Sequence, residues 1–287
     1  FETVVRHGAV NDSPITPSVL GMLTYDDSAT SMYMTTQDRG PGLVIEAPYV
    51  FMTNGENLRI FEILSSSMPT LIATINFSGV RLTGALAQGP ALFINSISTA
   101  SEYTSTLWAL DISSLYDGDS STVPTTSDIT GNHTTAYMQR VGGFSMTRDK
   151  LIQHPYYSGF TYSFDTTSAM SGTSFDADNE IGYGYGVGAG AIDLQNHPVS
   201  GNRLYMGTGG SFSVYDLSSL WSDTALTGYG ASDSLEVSLA VDSVGDFEIQ
   251  GSQAVVTDAA SKGMRILDLN RLHVPEIGVS AFLDLGE

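Results

Sequence analysis

Apolar positions alternate with polar ones in short runs, and one pattern returns along the chain: apolar, any, apolar, any, acid, then apolar or Ser/Thr. It reads Leu58-Arg-Ile-Phe-Glu62-Ile, Leu107-Trp-Ala-Leu-Asp111-Ile-Ser, and more loosely Thr161-Tyr-Ser-Phe-Asp165-Thr. It returns as Phe212-Ser-Val-Tyr-Asp216-Leu-Ser and Met264-Arg-Ile-Leu-Asp268-Leu-Asn. The acids stand at 62, 111, 165, 216 and 268, separated by 49, 54, 51 and 52 residues. Period-two alternation with β-branched and aromatic enrichment predicts strands, and the Gly, Asn, Asp and Ser clusters between them predict turns.

The surroundings of each acid repeat as well. Upstream stand short apolar runs, Tyr49-Val-Phe-Met, Ala91-Leu-Phe-Ile, Lys150-Leu-Ile-Gln, Arg203-Leu-Tyr-Met and Ala254-Val-Val-Thr. Before these come Gly-led strand candidates beginning at Gly42, Gly143, Gly190 and Gly245. Downstream, Pro69-Thr-Leu-Ile-Ala-Thr-Ile matches Pro275-Glu-Ile-Gly-Val-Ser-Ala, each proline seven residues after its acid. The unit is strand, strand, strand, linker, strand. No segment sustains a 3.6-residue apolar period, so long helices are not expected. Ser113-Ser-Leu-Tyr and Ser218-Ser-Leu-Trp-Ser each suit one helical turn. Gly182-Tyr-Gly-Tyr-Gly-Val-Gly-Ala-Gly and Asp117-Gly-Asp-Ser-Ser-Thr read as inter-strand loops.

A four-stranded unit returning about every 50 residues predicts an all-β propeller, because radial stacking covers both faces of each sheet. Phe1 to Asp27 reads as half a unit: Asp12 precedes Glu62 by 50, and Pro17-Ser-Val-Leu-Gly-Met-Leu is similar to the Pro69 strand. The expectation is one domain over residues 1–287 with six blades, five being the alternative, and N-terminal strands closing the ring with the C-terminal blade.

At Leu58-Arg-Ile-Phe-Glu62-Ile and Thr70-Leu-Ile-Ala the chain resembles the LVIVD-repeat family of β-propellers. The resemblance covers most of the chain as a repeat pattern, close in the first and last full repeats and loose in the third. It implies an exported or cell-surface protein. The family shares no catalytic motif, so the resemblance implies no catalytic residue. The units here are longer and their loops heavier in Ser, Thr and Asp.

Composition narrows the function classes. The 287 residues carry 31 acids against 11 Lys and Arg, a net charge of −20 and a pI near 4.2. Phosphates would be repelled, which argues against nucleic-acid partners. No apolar run approaches the ~18 residues that suggest a membrane span. The absence of Cys removes disulfides, thiolate metal sites and thiol catalysis. The start at Phe1 reads as a removed leader or as a fragment; the expectation is an exported, processed protein, extracellular or on a cell surface.

Candidate chemistry is sparse. Val4-Val-Arg6-His7-Gly8 is similar to the signature of histidine phosphatases, where His accepts a phosphoryl group and Arg clamps it. Neither further clustered Arg nor a second His followed by an acid accompanies it. Asp117 and Asp119, and Asp176, Asp178 and Glu180, place oxygen ligands at alternate positions as calcium loops do; a solvated turn explains the same spacing. The repeated acids suit turn fixation, a carboxylate accepting N–H groups of the next turn. Tyr156, Tyr157, Tyr183 and Tyr185, with Phe160 and Tyr162, could bind sugar or protein; blade core is an equal explanation. No Gly-x-Ser-x-Gly elbow occurs.

These residues point to a non-catalytic binding or structural component of a cell-surface or extracellular assembly. Its expected partner is a protein or glycan, with self-assembly through strand edges as a further version. No cofactor is expected beyond calcium. The rival is a hydrolase or lyase acting on polysaccharide in a central channel, with calcium assisting.

Overall fold

The computed structural model describes residues 43–287 except 47, 64–68, 101–103, 118–121, 137–140, 148, 156–158, 177, 179, 187–190, 198–200, 208–209, 217–225, 231–234, 241–243, 251, 259–262, 270–278 and 285–287. Among these residues the chain forms five sheets. The first contains β1 (Leu43–Glu46), β2 (Tyr49–Asn54), β3 (Asn57–Glu62) and β4 (Thr70–Asn76). The second contains β5 (Val80–Gln88), β6 (Ala91–Ser98), β7 (Thr104–Asp111) and β8 (Ile129–Ala136). The third contains β9 (Val141–Thr147), β10 (Lys150–Pro155), β11 (Gly159–Asp165) and β12 (Glu180–Gly186), joined by β16 (Leu226–Gly230). The fourth contains β13 (Ala191–His197), β14 (Gly201–Gly207), β15 (Ser211–Asp216) and β17 (Leu235–Ala240). The fifth contains β18 (Val244–Gln250), β19 (Gln253–Asp258), β20 (Gly263–Asp268) and β21 (Val279–Asp284). The half unit expected over Phe1 to Asp27, on which the sixth blade and ring closure depend, lies outside the described residues.

First strands adjoin first strands. β5 meets β1 and β2 on one side and β9 on the other; β9 meets β13, and β13 meets β18. The sheets therefore follow one another in chain order around an inner rank of first strands. This explains why β2 and β6 read as nearly continuous apolar runs: a sheet covered on both faces has no polar side. In β6, Leu92 and Ile94 pack with Phe51, Leu58 and Ile60 of the first sheet. Ala91 and Phe93, on the opposite face, pack with Leu151, Phe164 and Phe175 of the third unit. The fourth and fifth sheets share a similar core of Tyr205, Phe212, Val256 and Leu267. Phe51, Phe93, Phe164 and Phe212 are fully buried, and each such ring contributes about 1.5–3 kcal/mol relative to exposure.

Each sheet also breaks register at the same place. The third and fourth strands slip between Ile60 and Phe61, Ala109 and Leu110, Ser163 and Phe164, Val214 and Tyr215, and Ile266 and Leu267. In every unit the slip lies between the second and first residues before the repeated acid. Such bulges bend the strand and increase twist, which suits sheets stacked around an axis.

One sequence expectation is corrected. Gly182 to Gly186 is not a loop but part of β12, with Tyr183 opposite Tyr162 and Tyr185 opposite Phe160 on β11. Frequent glycine conceals the period-two Tyr alternation, and pairing on both edges, by β11 and β16, holds the segment extended.

Candidate functional site

The repeated acids mark one end of every sheet. Glu62, Asp111, Asp165, Asp216 and Asp268 each close the third strand. Their register partners on the second strand are Tyr49, Ala91, Lys150, Arg203 and Gln253. In four units the next residue donates its N–H to the carbonyl just before the second strand: Ile63 to Pro48, Ile112 to Pro90, Thr166 to Asp149 and Leu269 to Ser252, at 2.7–2.8 Å. Asp111 Oδ1 accepts from the Ser113 N–H at 2.8 Å, and Asp165 Oδ1 accepts from the Thr167 N–H at 2.8 Å. These carboxylates start the single helical turns Ser113–Leu115, foreseen above, and Thr167–Met170.

The third unit adds charge. The buried Lys150 Nζ lies 2.7 Å from Asp149 Oδ2 and 2.9 Å from Asp165 Oδ2. Burial works to lower the Lys150 pKa, but hydrogen bonds and charges from both aspartates hold it above its ordinary value. Burial likewise works to raise the Asp165 pKa, and the bonds from Thr167 and Lys150 outweigh it, leaving the carboxyl below its usual range. In the first unit Tyr49 takes the Lys150 position. Its hydroxyl donates to the Leu115 carbonyl at 2.6 Å, and its ring meets Tyr116 edge-on at 5.4 Å. Burial raises the Tyr49 pKa, reinforced by the charges of Glu62 and Asp117.

In the second, third and fourth units, described parts of the connection between third and fourth strands lean back on the preceding sheet. Leu115 and Tyr116 of the second unit reach Tyr49 of the first. Phe175 of the third unit bridges Gly131 of β8 in parallel, and its ring packs on Phe93 at 5.8 Å. From the fourth unit, β16 runs parallel to β12 of the third, placing Leu226 opposite Gly182.

The calcium candidates divide between two of these linkers. Asp117 is exposed after the Ser113–Leu115 turn, and Asp119 lies outside the described residues. Asp176 and Asp178 are exposed, and Asp176 Oδ1 accepts from the Asp178 N–H at 2.9 Å, which closes a turn. Glu180 opens β12 opposite Phe164. Among the described residues no three His, Asp or Glu side chains gather as an ion site. Of the aromatic candidates, Tyr183 and Tyr185 lie on β12, while Tyr156 and Tyr157, like Arg6 and His7, fall outside the described residues. His133 packs its ring 5.4 Å from Phe164.

One grouping was not visible in the sequence. Asn95, Ser105 and Gln153 form a buried hydrogen-bonded cluster between the second and third sheets. The only available signal was a polar residue within an apolar strand run, as at Asn95 after Ala91-Leu-Phe-Ile.

No protein-family model matches the sequence, and no curated protein does. Solved structures do. A chain from the crystal structure of the mitotic checkpoint complex superposes with a TM-score of 0.56 at 13% identity, over 86% of this chain and 66% of that one. The WD40 β-propeller domain of Doa1 superposes with a TM-score of 0.51 at 8% identity, over 83% of this chain and 66% of that one. This chain thus spans just under two thirds of either. The sheets, their order and these likenesses agree: the chain folds as an all-β propeller.

Proposed function

We propose that this propeller is a non-catalytic binding component of a cell-surface or extracellular assembly. The observation carrying the proposal is the use made of the repeated carboxylates. They stand at equivalent ends of five sheets rather than converging, and Asp111 and Asp165 are engaged in their own turns. Chemistry repeated in this way serves architecture. Variation falls instead on the third-to-fourth linkers, which differ in length and sequence, and loops displayed by a rigid scaffold are where propellers vary their ligands. The solved neighbours agree with a partner-binding role, one belonging to the mitotic checkpoint complex. The expected partner is a protein, with glycan the other class.

A panel of acidic and neutral polysaccharides, incubated with the protein with and without calcium, tests the reading. No new reducing ends and no unsaturated products are expected. Sustained cleavage of any member would overturn it in favour of a channel hydrolase or lyase.

A further inference from the structure

Corresponding register pairs are buried unequally in the five sheets. Two residues before each acid, the third strand pairs with the second as Ile60 with Phe51, Ala109 with Phe93, Ser163 with Ile152, Val214 with Tyr205 and Ile266 with Val255. The first four pairs are buried. In the fifth, Val255 is 37% exposed and Ile266 is half-buried. Two residues earlier on the third strand, Leu58, Leu107 and Phe212 are buried, whereas Met264 is half-buried. Val255, Met264 and Ile266 alternate with the core residues Ala254, Val256 and Leu267, so they share the opposite face of the fifth sheet.

Elsewhere this face meets the next sheet in chain order. Phe51 and Ile60 pack with Leu92, Ile94 and Leu110 of the second unit. Phe93 and Ala109 pack with Leu151 and Phe164 of the third. Tyr205 and Val214 pack with Val256 and Leu267 of the fifth. In the first unit the positions of Leu92, Ile94 and Leu110 are held by Val50, Met52 and Phe61. These three are buried, but they form a cluster of their own that contains no residue of the fifth sheet. The two faces that five sheets would have to join in closing a ring therefore differ: the one on the fifth sheet is open and the one on the first is covered.

We propose that residues 1–42 fill the seam between the fifth sheet and the first, setting apolar side chains against Val255, Met264 and Ile266 on one side and against Val50, Met52 and Phe61 on the other. The stretch runs directly into β1 at Leu43, so its C-terminal end already stands at the first sheet. Its length suffices, because the whole first sheet is built from the shorter stretch 43–76. It also carries markers of the repeat: Asp12 stands 50 residues before Glu62, and the Pro17 run matches the strand that follows Pro69. The expected N-terminal closure thereby acquires its two faces, and the five described sheets become an incomplete ring. A second copy suits the seam less well. At a net charge of −20 two molecules repel, whereas a tethered segment meets the seam at high effective concentration. The seam is a matter of architecture and stands whether or not the protein is a binding module.

The chain has no Cys, so an introduced pair reports on itself alone. Val255→Cys is combined in turn with a cysteine at each apolar position of the stretch, Val10→Cys, Val19→Cys, Leu20→Cys, Met22→Cys and Leu23→Cys among them. Each full-length variant is oxidised at low micromolar concentration and read by non-reducing electrophoresis and peptide mass. A disulfide forms only where the two Cα atoms come within about 7 Å, so a bond records contact. At least one pair is expected to close within the monomer. Val255→Cys alone is expected to react with a maleimide at least tenfold more slowly in the folded protein than in urea. A disulfide between Val255→Cys and Val50→Cys would mean that the fifth and first sheets meet directly, and would overturn the proposal. Disulfides formed only between molecules would give the seam to a second copy. Failure of every pair to close would leave the Val255 face without residues 1–42, and either of these results also overturns it.

Discussion

Gly131 and Phe175 touch through their backbones: a Cβ on Gly131 would lie 1.9 Å from the Phe175 carbonyl oxygen and 2.9 Å from its carbon. The third unit's linker is pressed against the second sheet here, and glycine allows the approach. Gly131→Ala should push the linker off β8 and cost about 1–3 kcal/mol, read as a fall of several degrees in Tm. Gly207 provides the contrast. Its added Cβ would meet Val244 Cγ1 at 2.5 Å, and Val244 Cβ and Phe247 Cδ1 at 3.3 Å, side-chain atoms rather than backbone. Gly207→Ala should therefore cost less, and the difference between the two Tm shifts measures how rigidly the linker is clamped.

Removing the side chain of a repeated acid should cost the hydrogen bond that fixes the turn after the third strand. Asp111→Ala deprives the Ser113 N–H of its acceptor, at a cost of about 1 kcal/mol by urea denaturation. Asp111→Asn keeps an acceptor oxygen at that position and should lose much less. Equal losses in both variants would point to the charge rather than the hydrogen bond.

The repeat was legible because it is local. An acid ending an alternating run, with an apolar run before it, located the second and third strands of all five described sheets. What was not legible depends on residues distant in sequence. The register slips before each acid arise where a third strand meets its fourth across a linker. The reach of Phe175 to Gly131, and of β16 to β12, depends on the next unit's position. Tyr183 and Tyr185 read as loop residues in the sequence because the surrounding glycines mask their period-two alternation, which β12 follows. The cluster of Asn95, Ser105 and Gln153 likewise forms only where the second and third sheets meet.

The ion pairs of Lys150 predict a pH profile with two limbs. Asp165 has a folded pKa below its unfolded one, so its contribution is present above about pH 4 and is lost as pH falls through the folded value. Lys150 has a folded pKa above its unfolded one, so its contribution is present below about pH 10 and is lost as pH rises through the folded value. Lys150→Met removes the alkaline limb and one of the influences holding Asp165 down. Its Tm should therefore vary less with pH at both extremes than that of the parent protein. Both carboxylates are about 40% exposed, which keeps the effect modest.

Calcium should leave the melting temperature unchanged. Asp117 and the Asp176–Asp178 turn lie in linkers of different units, and Asp176 already accepts a backbone hydrogen bond. A millimolar calcium titration that raises Tm, and loses the increase in Asp176→Asn, would restore the ion-site reading.

The cluster between the second and third sheets gives the last prediction, because its members are unequally satisfied. Asn95 Oδ1 accepts from Gln153 Nε2 at 2.5 Å and from Ser105 Oγ at 2.9 Å, and Asn95 Nδ2 donates to Thr83 Oγ1 at 2.8 Å. Gln153 is fully buried, yet its Oε1 has no hydrogen-bond partner. Asn95→Ala leaves a void and deprives three neighbours of a partner, so it should cost about 2–4 kcal/mol. Gln153→Met fills nearly the same volume and removes the orphaned oxygen. Asn95 Oδ1 keeps the Ser105 hydroxyl, and the loss of one hydrogen bond is offset by relief of the unpaired acceptor, leaving a net change within about 1 kcal/mol. A large loss in Gln153→Met would instead mean that the bond across the two sheets is itself what holds the second sheet against the third.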